Sequence, residues 1–182
     1  MTEAVAAKEA SPVNGKDRIL MIRVFEDRMK KGASKLALQT KHDWKIEAKS
    51  DSTSTKDGTI NSAAEPTVTL EINAISSRDD VNLTLKDAVL NSKKLEFWDI
   101  DLKGKVTEEG ENKGKYPAKY AQGYLQSWEV PSEIGKLDEL KTEANIDQKP
   151  VDGFATLTDE QQQEVQYAFA DTTIVTDPAP EV

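Results

Sequence analysis

The sequence predicts a mainly β protein of the α+β class: two packed antiparallel sheets forming a barrel-like sandwich, with one helix flanking it. Three observations carry this expectation. Residues 67–75 alternate strictly, with Val68, Leu70, Ile72 and Ala74 on one face and Thr67, Thr69, Glu71 and Asn73 on the other; a period of two marks a half-buried strand. Val81, Leu85, Ala88 and Val89 then recur at helical spacing. Beyond them the period returns to two, with Trp98, Ile100 and Leu102 on one face of residues 95–102. One helix among strands fits a helix laid on sheets.

Residues 1–16, rich in Ala, Glu and Lys and ending at Pro12, Asn14 and Gly15, read as a flexible N-terminal arm. A single domain is expected over 17–176, with 177–182, "DPAPEV", as a Pro-broken tail. Residues 17–25 form the first strand, with Ile19, Met21 and Phe25 on one face and Leu20, Ile22 and Val24 on the other. Apolar side chains on both faces imply burial on both sides, within the domain or against another subunit. Residues 36–48 alternate next, Leu36, Leu38, Trp44, Ile46 and Ala48 inward, Lys41, Asp43, Lys45 and Glu47 outward. As one strand this would be long against a typical ~5–6 residues, and such a strand projects beyond a core.

Residues 50–66, "SDSTSTKDGTINSAAEP", contain one large apolar side chain, Ile60. A loop longer than ~12–15 residues is usually functional or disordered. Two readings stand, a disordered linker and a projecting hairpin that orders on a partner, the latter favoured by Asp57-Gly58 as a turn. Ser76, Ser77, Asp79 and Asp80 suit the start of the helix, and Lys93 and Lys94 suit its end. Residues 103–117, with three glycines and mixed charge, read as a surface loop. Residues 118–130 alternate with Tyr120, Tyr124, Trp128 and Val130 on one side; 140–147 reads as a strand, 147–150 as a turn and 151–157 as a short returning strand. Thr158 and Gln161 have capping-box spacing, so 159–169 reads as a short helix, with a strand over 164–170 as the alternative.

The chain has 182 residues, 37% hydrophobic and 31% charged, with no cysteine. No apolar run approaches the ~20 residues that span a bilayer. The start, "MTEAVAAKEASPV", lacks the order of a signal peptide, so synthesis in the cytoplasm is expected. Charge is uneven. Residues 1–130 hold 21 Lys and Arg against 21 Asp and Glu, whereas 131–182 hold 3 against 12 and carry the whole net charge of -9. Acidic surface repels phosphates, which argues against ordinary DNA binding. The imbalance serves solubility, or it forms a surface past which DNA slides without sticking.

The residues assemble no catalytic set. His42 is the lone histidine and shares a strand face with Trp44 and Ile46, which suits a partly buried structural role; without cysteine or a second histidine it builds no zinc site. No nucleophile elbow or Gly-rich phosphate loop is present. Asp99 and Asp101 share a strand face like a glycosidase pair, but alternating carboxylates on an exposed strand are far commoner. "DIDLKG" lacks calcium-loop spacing. Trp44, Trp98, Tyr120, Tyr124 and Trp128 would make a sugar-stacking platform only if gathered on one surface, and each falls on the apolar side of its strand, where core packing accounts for it. No cofactor, metal or enzymatic activity is expected.

The succession "TVTLEINAISSRDDVNLTLKDAVLNSKKLEFWDIDL", "YAQGYLQSWEVPS" and "LKTEANIDQKPVDGFATLT" resembles the major tail proteins of long-tailed, non-contractile bacteriophages. The likeness spans roughly residues 17–176 and rests on the order of several blocks. It implies a structural virion protein that self-assembles into stacked hexameric rings, a tail tube through which DNA is ejected without specific binding. It also implies the tape measure and tail-end proteins as partners, no membrane, and a place in the virion tail after assembly in the host cytoplasm. The family's stacking loop corresponds to residues 50–66, which makes Asp51, Lys56, Asp57, Gly58 and Ile60 candidate ring-stacking residues. Asp138, Glu139, Glu143 and Asp147 are candidate lumen-facing carboxylates. The alternative of another class is a β-sandwich binding module for a carbohydrate or a cell-surface partner.

Overall fold

The first strand, β1 (Arg18–Val24), is buried along both faces, and that property organises the molecule. The computed structural model describes residues 12–158 and 161–162. After β1 come the short β2 (Ser34–Lys35), β3 (Gln39–Glu47), the pair β4 (Ser50–Thr55) and β5 (Gly58–Ala63), and β6 (Thr67–Ile75). The helix α1 (Asp80–Leu90) follows, then β7 (Leu95–Asp101), β8 (Tyr116–Leu125), β9 (Glu139–Ile146) and β10 (Val151–Ala155). The expected class holds: mainly β, two antiparallel sheets, one helix.

The two sheets are unequal. Eight strands form one sheet in the order β2-β1-β7-β8-β9-β6-β3, with β10 also on β8; β4 and β5 form the second by themselves. The barrel-like enclosure arises because the large sheet folds over at β8. One edge of that strand pairs with β7 from Ala118 to Gly123; the other edge pairs first with β10, through Tyr116 to Tyr120, and then with β9, through Gly123 to Leu125. A strand that changes partners in this way makes the corner between two packed layers. Gly123 sits at the corner for a steric reason, since a Cβ there would lie 2.1 Å from the carbonyl oxygen of Asn145.

Between the layers lies the main core. Leu20, Ile22 and Val24 of β1, Leu95 and Phe97 of β7, and Leu125 of β8 meet Leu70, Ile72 and Ala74 of β6 and Leu140 and Ala144 of β9. Leu85 and Ala88 of α1 close this core on one side, and burying a leucine contributes about 1.5–3 kcal/mol. Asp79 caps α1 by accepting the Asn82 backbone N–H at 2.8 Å. A second core covers the opposite face of β1 and β7, where Ile19, Met21 and Ile100 pack with Tyr116, Ala118 and Leu157. The two-faced first strand is thus explained within one chain.

Several expectations are corrected. Residues 36–48 are not one strand: β2 ends at Lys35, Leu38 takes a positive φ of 51°, and β3 begins at Gln39. The break lets Leu36 drop into the core while Leu38 and Ile46 stay more than half exposed. Phe25 leaves β1 and starts a single helical turn. Tyr120 and Tyr124 do not face the main core; Ala121 and Leu125 fill the buried positions instead, and the strand ends before Trp128. The helix packs on the Leu95–Phe97 face of β7, opposite the face that carries Trp98. The strand read over 151–157 stops at Ala155, and Leu157 plugs the second core beyond it. The Thr158–Gln161 capping box forms in both directions, at 3.0 and 3.2 Å. The rest of the 159–169 segment, the arm over 1–11 and the tail 177–182 lie outside the described residues.

Candidate assembly surfaces

Residues 50–63 form a projecting β-hairpin rather than a disordered linker. Ser50 to Thr55 pair with Gly58 to Ala63, and every residue of both strands is exposed. The two-residue turn is Lys56-Asp57, one position earlier than expected, with Gly58 pairing back to Thr55 at φ 138°. The Thr55 hydroxyl donates to the Gly58 carbonyl at 2.7 Å and accepts the Asp57 N–H at 3.3 Å, which fixes the tip. Asp51, Lys56, Asp57 and Ile60 are all presented to solvent, Ile60 at 63% exposure. A lone two-stranded hairpin is at best marginal in water. This one is an extension without a core of its own.

Of the carboxylates 138, 139, 143 and 147, the structure brings two together. Glu139 and Glu143 share the solvent face of β9. Asp138 lies just before that strand and accepts the Ser132 hydroxyl at 2.8 Å. Asp147 lies just past it and is engaged by Lys94 at 2.7 Å, at the other end of the layer. On the same solvent face, Lys41 contacts Glu71 at 3.2 Å and Asp43 at 3.3 Å, Lys45 contacts Glu47 at 3.0 Å, and Lys141 contacts Glu139 at 3.7 Å. Hydrogen bonds donated to Glu71 and then to Asp43 raise the Lys41 pKa, and one donated to Glu47 raises that of Lys45. This β3–β6–β9 face therefore offers three lysines, each flanked by a carboxylate, and an excess of acid. The spacing of charges along β3 was legible in the sequence; the cross-strand partner Glu71 was not.

Asp99 overturns the reading of an exposed carboxylate pair. It is 1% exposed and lies between the layers, while Asp101 is half-buried. Its oxygens accept Arg18 Nε at 2.9 Å and Nη2 at 2.6 Å, and Trp44 Nε1 at 2.9 Å; His42 Nε2 lies 3.2 Å away. Three donors satisfy the lone pairs that burial would otherwise leave costly. The carboxylate ties β1 and β7 to β3, and His42 has the structural role expected of it. Nearby, Gln39 spans the open seam of the barrel, its side chain accepting the Leu20 N–H at 2.9 Å and donating to the Leu36 carbonyl at 3.2 Å. The aromatic side chains are split: Trp44 and Trp128 border the main core, whereas Trp98 stacks with Tyr120 at 5.2 Å beside the other. They form no common platform for a sugar.

Free strand edges complete the surface. Among the described residues, β3 pairs only with β6 in the large sheet, and β10 only with β8. Unpaired edges are templates for another chain. Exposed apolar side chains accompany them, Ile46 on β3 and Val151 and Phe154 on β10.

A family model described as phage tail tube protein matches residues 12–152. A protein of Staphylococcus phage phiMR25 described as a tail protein is 27% identical over 168 residues, 90% of this chain and 85% of that protein. Among solved structures, the SPP1 tail tube has the same fold, with a TM-score of 0.65 at 18% identity over 93% of this chain and 98% of that one. The tail of an empty GTA particle, refined with C6 symmetry, gives 0.58 at 9% identity over 80% of this chain and all of that one.

Proposed function

The chain belongs to the phage tail tube protein family, and from that premise we propose that it is the repeating subunit of a tail tube. Six copies close into a ring, rings stack, and the hairpin of residues 50–63 bridges one ring to the next. The observation that carries this reading is the hairpin itself: twelve paired residues, every one exposed, extend from a well-packed body. Exposed backbone and an apolar anchor, Ile60, suit a segment that gains its contacts from a second copy. The free edges of β3 and β10 suit the sideways contacts, because a heterologous joint between unlike edges closes into a ring when the rotation permits.

The β3–β6–β9 face is the proposed channel wall. Glu139 and Glu143 stand on it, and its lysines are held by Glu71, Asp43, Glu47 and Glu139. Such a surface denies phosphates the Lys contacts that would hold a duplex in place. DNA then passes without specific binding, and the tape measure protein occupies the same channel before it. The place of action is the tail of the virion, with assembly in the host cytoplasm.

Replacing residues 50–66 by Asn-Gly tests the role of the hairpin. The shortened chain should keep its thermal midpoint and form rings, yet fail to elongate in electron micrographs. Tubes of ordinary length from the shortened chain would refute the stacking role.

A further inference from the structure

A groove of about 730 Å³ opens where the two layers meet, at the start of β1 and the start of β3. Lys16, Arg18, Lys35, Lys41 and His42 line it, and among the described residues no carboxylate does. Arg18 and Lys41 are already engaged by Asp99 and by Glu71 and Asp43, whereas Lys16 makes no ion pair among the described residues. Leu38, 59% exposed in its positive-φ conformation, adds an apolar wall. The hairpin lies at the opposite end of β3: residues 39–42 border the groove, and β4 begins three residues after Glu47. Five strand residues, Asp43 to Glu47, separate the two features by roughly 17 Å.

We propose that this groove is the socket for the β4–β5 hairpin of a second copy of the chain, with Asp51 and Asp57 meeting the cations and Ile60 meeting Leu38. The proposal deepens the stacking role of the hairpin and rests on it. One strand then carries a plug at one end and a socket at the other. Because plug and socket are different surfaces, the contact is heterologous and repeats head to tail without closing, as a growing tube requires. The chemistry is complementary, a groove bordered by cations against a hairpin with two carboxylates, Asp51 near its base and Asp57 in its turn, and one lysine, Lys56. Opposite charges also help to fix which surfaces meet, since groove against groove would oppose cations.

A charge reversal of both halves tests the pairing, with tube length read from electron micrographs of the full-length protein. Lys16→Glu with Lys35→Glu should shorten mean tube length at least tenfold, and adding Asp51→Lys with Asp57→Lys in the same chain should restore it to within twofold. Restoration shows at once that the first variant was folded. If the double variant proves unstable, Lys16→Glu alone, at an exposed position, takes its place and should shorten tubes severalfold. Tubes of ordinary length from the groove variant, beside failure of the hairpin-shortened chain, would overturn the socket and leave the hairpin's role intact. Ordinary tubes from both would overturn the stacking role beneath it. Short tubes that the fourfold variant does not restore would overturn the pairing of these residues.

Discussion

The carboxylate of Asp99 on β7 accepts the indole N–H of Trp44 on β3 at 2.9 Å, across the space between the two layers. No backbone ladder joins those strands. Arg18 shares the same carboxylate, so the contact fixes three strands at once. Breaking a buried pair by removing one partner costs ~3–5 kcal/mol; with the Arg18 side chain one-third exposed, the lower end is expected. Asp99→Ala should destabilise the subunit by about 3 kcal/mol in urea unfolding. A loss under ~0.5 kcal/mol would mean that the contact does not hold the layers together.

The same carboxylate sets an acid limit. Burial pushes the Asp99 carboxyl up, and hydrogen bonds from His42 and Arg18 outweigh that and hold it below the ordinary carboxylate range. A carboxylate depressed in the folded state stabilises the fold above its unfolded pKa of about 3.9, and the contribution is lost as pH falls through the folded value. The stability advantage of the natural chain over Asp99→Asn should therefore shrink as pH falls below about 4. An advantage that does not change down to pH 2 would show that the charge contributes nothing.

Gly123 leaves no room at the corner. The backbone of Asn145 stands where a Cβ would be, and backbone gives way less readily than a side chain. Overpacking typically costs ~1–3 kcal/mol, occasionally more, so Gly123→Ala should cost about 3 kcal/mol in the same assay. A neutral substitution would mean that β8 and β9 separate easily at this point.

Leu85 is fully buried between α1 and the strands. Leu85→Ala should cost ~2–5 kcal/mol by transfer and cavity terms. Leu83 and Leu90, exposed on the other side of the helix, should tolerate alanine within about 0.5 kcal/mol. Equal losses at Leu85 and Leu83 would place the buried face wrongly.

The proposed channel face makes a prediction about function. Glu139→Lys with Glu143→Lys should still give tubes, because both side chains point to solvent, but DNA release should slow as new phosphate contacts form. Release at the ordinary rate would remove these two carboxylates from any part in passage.

The strictly periodic elements were legible in the sequence. The residues 67–75 match β6 to the residue, and the face with Val68, Leu70, Ile72 and Ala74 is the buried one. The two-sided apolar pattern of β1 correctly announced two buried faces. What failed was local alternation carried too far. Leu36 and Leu38 keep the parity of Trp44, so nothing local reveals that the backbone turns at Leu38. Ala121 and Gly123 are too small to announce a buried face, and the tyrosines beside them drew the assignment outward. Asp99 was misread because its donors come from Arg18, His42 and Trp44, residues 55 to 81 positions away in the chain. Only the folded chain brings those groups within hydrogen-bonding distance. The candidate assembly surfaces were partly legible: the polar, Gly-containing stretch 50–66 announced a hairpin, while its proposed socket is divided between residues 15–19 and 35–42.

The central claim is that this chain polymerises through stacked rings, and electron microscopy of the purified full-length protein across a concentration series tests it most directly. The account predicts rings with sixfold averages at low concentration and lengthening tubes at higher concentration. A monodisperse monomer at every concentration, under conditions where the fold is intact, would contradict it.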